Sequence, residues 1–100
     1  MFEIRLSVAF SRWMEDLEDA RARSRVIARL RRIELGNFGD VKPVGDGISE
    51  ARIDYGPGYR LYFVKRGKLL VVMICGGDKS SQKRDIKAAK AMAKELDDGT

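Results

Sequence analysis

The sequence predicts an α+β domain in which two N-terminal helices and a C-terminal helix pack on a small, mainly antiparallel β-sheet. Apolar residues recur at helical spacing before Leu35 and again after Gln82, whereas the stretch between alternates with a period of two and is cut by glycines. The run Leu69 to Cys75 is apolar throughout, as a strand covered on both faces must be. Helices grouped before a β-meander give separate layers rather than alternating βαβ units. At 100 residues, 44% of them hydrophobic, the chain fills one core and forms one domain over 1–100.

Each element has its own signal. Phe2, Ile4 and Leu6 alternate with Glu3 and Arg5, a short first strand. Ser7 is placed to cap a helix whose Phe10, Trp13, Met14 and Leu17 fall at i, i+3, i+4 and i+7 and form a core stripe. Asp19 caps a second helix that runs to about Leu35, stops at Gly36, and turns Val26, Ile27, Leu30 and Ile33 inward. Residues 36–47 are a glycine-rich connection with one short edge strand at Val41 to Val44, since Pro43 cannot sit in a central strand.

A hairpin follows, turning at Gly56-Pro57-Gly58. If Tyr55 faces Tyr59, then Asp54 opposes Arg60, Ile53 opposes Leu61, Arg52 opposes Tyr62 and Glu50 opposes Val64. Alternation puts Glu50, Arg52, Asp54, Arg60 and Tyr62 on one polar face, either a simple exposed ion pair or a surface for phosphate. Ala51, Ile53, Tyr55, Tyr59, Leu61 and Phe63 form the face turned to the helices. The strand Leu69 to Cys75 is expected to end at Gly76 and Gly77. A helix from about Gln82 carries Ile86, Ala89, Met92, Ala93 and Leu96 on one side, and lysines at 83, 87, 90 and 94 on the other; Asp97-Asp98-Gly99-Thr100 should fray.

Composition narrows the function. The longest apolar run is too short to span a bilayer, and Glu3 and Arg5 break any export signal, so a cytoplasmic protein is expected. A single cysteine, Cys75, and no histidine leave no internal disulfide and no ordinary zinc site, and no cofactor is expected. Glu15, Asp16, Glu18 and Asp19 are explained by capping and by the helix dipole rather than by a metal. The net charge of +5 favours nucleic acid or an acidic protein as partner. The second helix concentrates that charge in Arg21, Arg25, Arg29 and Arg32, joined by Arg23 and Arg31, with no glutamate at i+4 to neutralise the row. This row fits RNA, an acidic partner segment, or a solvated helix face.

Four stretches then carry a resemblance: Phe10-Ser-Arg-Trp13, the run from Ala28 through Leu-Arg-Arg-Ile-Glu-Leu-Gly-Asn-Phe-Gly-Asp to Val44, Gly58-Tyr-Arg-Leu-Tyr-Phe63, and Cys75-Gly-Gly-Asp-Lys-Ser80 before a lysine-rich helix. In this order, from Phe10 to Leu96, the chain resembles the RelE/ParE toxin superfamily, and within it the HigB-like addiction module killer proteins. The resemblance implies the toxin of a bacterial type II toxin-antitoxin pair, a metal-independent endoribonuclease that cuts mRNA on the ribosome with the RNA 2′-hydroxyl as nucleophile. A cognate antitoxin, of helix-turn-helix type and encoded alongside, would neutralise it and alone contact operator DNA; no membrane partner is implied. Arg60 falls where the family stabilises the transition-state phosphate, with Arg52 and Lys79 as clamps. Lys42, Lys83 and Arg84 are the expected RNA contacts, and Arg21, Arg25, Arg29 and Arg32 the antitoxin surface. Where relatives carry a histidine or tyrosine near the last helix, this chain has none, which leaves Glu50 as base and Tyr62 or Lys79 as proton donor. Two alternatives share the fold: a ParE-like gyrase inhibitor without nuclease chemistry, and a non-catalytic nucleic-acid-binding module.

Overall fold

The helices begin where their capping side chains stand. In a computed structural model, which describes residues 1–98 and side chains as far as Leu96, the Ser7 hydroxyl accepts the Phe10 N–H at the start of α1 (Val8–Glu15). Asp19 accepts the N–H groups of Arg21 and Ala22 at the start of α2 (Ala20–Glu34). Gly36, at φ 89°, takes the left-handed conformation that ends α2. Of the segment Asp97-Asp98-Gly99-Thr100 expected to fray, Asp97 and Asp98 continue the last helix, and Gly99 and Thr100 lie outside the described residues.

Five strands make one sheet: β1 (Glu3–Leu6), β2 (Val41–Gly45), β3 (Ile48–Ile53), β4 (Tyr59–Arg66) and β5 (Leu70–Asp78), in the spatial order β1-β5-β4-β3-β2. Only β1 runs parallel to its neighbour, β5. Pro43 sits in β2 at the sheet edge, where its missing N–H costs no ladder bond. A 3-10 turn at Lys79–Ser81 leads into α3 (Gln82–Asp98). The architecture is therefore the expected α+β one.

Helices α1 and α2 cover one sheet face, where Phe10, Val26 and Ile33 are buried against Ala51, Ile53, Leu61, Phe63, Val71 and Met73. Helix α3 covers the other, with Ala89 and Ala93 over Ile48, Tyr62, Val64 and Ile74. Each such large apolar side chain contributes about 1.5–3 kcal/mol by leaving water. Among the described residues no helix is long and apolar enough to cross a membrane.

Five expectations change. The hairpin register is shifted by two: Arg52 pairs with Arg60 and Glu50 with Tyr62, because the loop takes in Asp54 and Tyr55 as well as the glycines. A shift of two preserves the faces but changes every partner. Asp54 lies outside the ladder and lines a cavity beside α2, so it forms no pair with Arg60. The polar face is not free, since α3 packs over most of it and leaves open the end that carries the arginines. Strand β5 continues through both glycines to Asp78, and Ile27 is exposed rather than inward.

That continuation depends on a bulge. Tyr62 pairs with Cys75 but Phe63 with Met73, so Ile74 is an extra residue, and both Ile74 and Cys75 turn toward α3. Gly76 then falls beneath Trp13 of α1, where a Cβ would lie 2.3 Å from the indole, and Gly77 falls beneath Asp85 of α3, where it would lie 1.9 Å from Oδ2. A side chain at Gly76 would push Trp13 and with it α1 off the sheet, and one at Gly77 would displace the Asp85 carboxylate.

Candidate functional site

Register assembles the site as two adjacent rows across the sheet. One row runs Lys42, Glu50, Tyr62, Cys75; the other places Arg52 directly opposite Arg60, with Gly77 beyond. Two like charges facing each other across a ladder are destabilising unless something neutralises them. Glu50 does so. Its Oε1 accepts the Arg52 Nε–H at 2.9 Å and stands 3.8 Å from Arg60 Nε. Its Oε2 accepts the Gln82 side-chain N–H at 2.8 Å.

Glu50 is wholly buried, the one charged core side chain among the described residues. Burial alone pushes its carboxyl up, but the hydrogen bonds from Gln82 and Arg52 and the charge of Arg60 outweigh burial and hold its pKa below the ordinary carboxylate value. A carboxylate with both oxygens engaged orients guanidinium groups. To act as the general base expected of it, Glu50 would have to be released by Arg52 or Gln82.

Arg60 is 12% exposed, and its Nε has no hydrogen-bond partner. Gly58, at φ 81°, keeps the adjoining space open. A Cβ there would lie 3.9 Å from Arg60 Nη1 and 3.6 Å from the Lys79 Cβ, so Arg60 and Lys79 adjoin one point. Tyr62 lies beneath the site rather than in it: the side chain is wholly buried and its hydroxyl adjoins the Glu50 carboxylate without completing a well-formed hydrogen bond. Burial, reinforced by the nearby Glu50 charge, raises its pKa far above the ordinary phenol range. The proton-donor role expected of Tyr62 is therefore corrected, because a buried phenol cannot reach a ligand at the surface.

Beside the arginines, Lys79, Ser80, Ser81, Gln82, Lys83 and Arg84 line an open cleft of about 490 Å³. Asp78 shapes its floor by accepting the Ser80 N–H, and Gln82 joins the cleft to Glu50. Lys83 and Arg84 stand in the first turn of α3, where the helix dipole disfavours cations, and Arg84 lies 4.0 Å from the Asp85 carboxylate. The cleft, the two guanidinium groups and the exposed Lys42 on β2 make one cationic mouth with Glu50 at its base.

The arginine row of α2 lies on the other side of the sheet. Arg21, Arg25 and Arg32 are exposed, and Arg25 stacks over the Tyr55 ring at 4.6 Å. Arg29 is half-buried and donates from Nη2 to the Arg52 carbonyl. Gln82 was not among the expected site residues. It occupies the polar end of the inward stripe Gln82, Ile86, Ala89, Ala93, and a polar side chain on such a stripe signals a buried polar partner.

The fold and site thus define an α+β domain with an arginine–carboxylate cluster at the open end of its α3-covered sheet face. No known family profile matches the chain. It is 48% identical over 94 residues to an uncharacterized protein of Haemophilus influenzae, covering 94% of this chain and 95% of the other, and it belongs to the same family.

Proposed function

We propose that the protein is the toxin of a bacterial type II toxin-antitoxin pair, of the HigB-like kind within the RelE/ParE superfamily. It acts in the cytoplasm as a metal-independent endoribonuclease on ribosome-bound mRNA and is held inactive by a cognate antitoxin. The observation that carries this reading is Arg60, a guanidinium anchored by the charge of Glu50 at 3.8 Å, opposite Arg52 and with its Nη1 and Lys79 adjoining the same point beside Gly58.

In this reaction the 2′-oxygen attacks the neighbouring phosphorus and the bond from phosphorus to the 5′-oxygen breaks, leaving a 2′,3′-cyclic phosphate and a 5′-hydroxyl. The 2′-hydroxyl proton goes to a base and the leaving oxygen takes up another. Arg60 and Arg52 suit the extra negative charge of the phosphorane, as preorganised donors do. Lys79, exposed and with its Cβ beside Gly58 near Arg60, is the proton donor in this reading. Lys42, Lys83 and Arg84 extend the cationic surface along which an RNA strand would lie.

The test compares wild type with Arg60→Ala, expressed in bacteria and followed by growth and by primer extension on a translated mRNA. Loss of such a donor should lower cleavage by about 10²–10³-fold while the fold, checked by circular dichroism, persists. Equal growth arrest by both proteins, with mRNA intact and DNA supercoiling blocked, would instead identify a gyrase inhibitor.

A further inference from the structure

Helix α2 carries a second built surface. Ala20, Ser24 and Ala28, at i, i+4 and i+8, floor a trough of about 400 Å³ walled by Arg21 and Arg25. Arg25 and Ala28 also line the next cavity, of about 260 Å³, together with Arg29, Arg32, Ile53 and Asp54. The two are continuous, and from Ala20 to Arg32 they extend about 18 Å along the helix.

At its far end the trough meets a socket of unspent positive charge. Arg29 Nη1 is buried without a hydrogen-bond partner, although Nη2 of the same guanidinium is satisfied by the Arg52 carbonyl. Arg32 closes on the same spot: a Cβ built on Gly39 would lie 3.2 Å from Arg29 Cζ and 3.3 Å from Arg32 Nη2. Three guanidinium groups line this cavity against one acid, Asp54. Burial and the neighbouring Arg32 together depress the Arg29 pKa, with Asp40 opposing, which is the direction an added anion would reverse.

We propose that this surface binds an acidic segment of a partner protein, with small or apolar side chains in the Ala20–Ser24–Ala28 trough and a carboxylate in the Arg25–Arg29–Arg32 socket. The trough argues for a protein segment over nucleic acid. A phosphate backbone gains nothing from an uncharged floor, whereas an amphipathic segment buries its apolar side there and presents its acids to the arginine walls. Identifying the partner with the antitoxin rests on the function proposed above; the site itself does not.

The probe is a fluorescein-labelled peptide of about 12 residues, long enough to span the trough as a helix. It carries glutamates on one face and alanine and leucine on the other. Binding is read by anisotropy at about 0.15 M salt, where long-range attraction is screened. Arg25→Gln with Arg32→Gln should weaken binding by about tenfold. Ser24→Trp, which changes no charge but fills the trough, should weaken it comparably. Lys87→Gln with Lys94→Gln, the same loss of charge on α3, should leave it unchanged. All these positions are exposed or partly so, and unchanged melting curves would verify their folds. The proposal is overturned if Ser24→Trp binds like wild type, if the α3 pair weakens binding as much as the α2 pair, or if a uridine oligonucleotide loses affinity with the α2 pair while the peptide does not. Arg60→Ala should keep full peptide binding, so failure of the nuclease reading and failure of this one give different results.

Discussion

Replacing Glu50 by glutamine tests the centre of the site. The variant keeps an oxygen for Arg52, but its amide N–H₂ now points at the Gln82 N–H₂, and two opposed guanidinium groups lose their shared counter-charge. Removing one partner of a fully buried ion pair costs about 3–5 kcal/mol. Arg52 is 33% exposed and Arg60 12%, so water screens part of their repulsion, and about 2–3 kcal/mol is expected here. For a domain of this size that is a fall in Tm of roughly 10–20 °C. The pH dependence supplies the sharper check. Because folding lowers the Glu50 pKa, its stabilisation is complete above the unfolded value, near 4.5, and is lost as pH falls through the folded one. Urea denaturation of wild type and Glu50→Gln at a series of pH values should therefore give curves separated at neutral pH that converge below 4.5. A variant within about 0.5 kcal/mol of wild type at neutral pH, or a gap unchanged in acid, would refute the ionised-anchor assignment.

Further outcomes follow from the same packing. Tyr62→Phe removes a buried hydroxyl that adjoins Glu50 without a well-formed hydrogen bond and should change stability by no more than about 1 kcal/mol, with RNA cleavage retained; lost cleavage in a folded variant would restore Tyr62 to the chemistry. Gly76→Ala drives a methyl into Trp13 and should cost about 1–3 kcal/mol with a change in tryptophan fluorescence, whereas a neutral result would mean α1 is not seated on β5. Ser7→Ala removes both the cap on Phe10 N–H and a hydrogen bond to the Ile74 carbonyl, and a loss of about 1–2 kcal/mol is expected by urea titration. The Cys75 thiol, pushed up to about 12 by burial and then by Asp85, should resist thiol reagents at about pH 8 until the protein unfolds, and rapid labelling of the native state would contradict its placement.

Much of this architecture was legible before any coordinates. The period of the apolar residues located all three helices, Ser7 and Asp19 marked two of the starts, and Pro43 marked the edge strand. The hairpin faces were legible for the same reason, since a side chain's face depends only on parity along the strand. Its partners were not. Turn length sets register, and Gly56-Pro57-Gly58 reads as a complete turn although the chain also spends Asp54 and Tyr55 on it. The Ile74 bulge was hidden because a strand apolar at every position carries no mark of where alternation slips. Whether the polar face would be open depended on where α3 lands, which no local pattern encodes.

The opposed arginines also set a limit on how this protein can be improved. Apolar residues of similar volume in place of a buried charge cluster often leave a fold as stable or more so. Replacing Glu50, Arg52 and Arg60 together with such residues removes the repulsion and the need for its counter-charge at one stroke, although losing Glu50 alone is harmful. A library selected only for heat resistance would thus tend to discard the three as a unit. Any engineering of the chain for robustness needs a second selection, on ligand binding, running alongside the first.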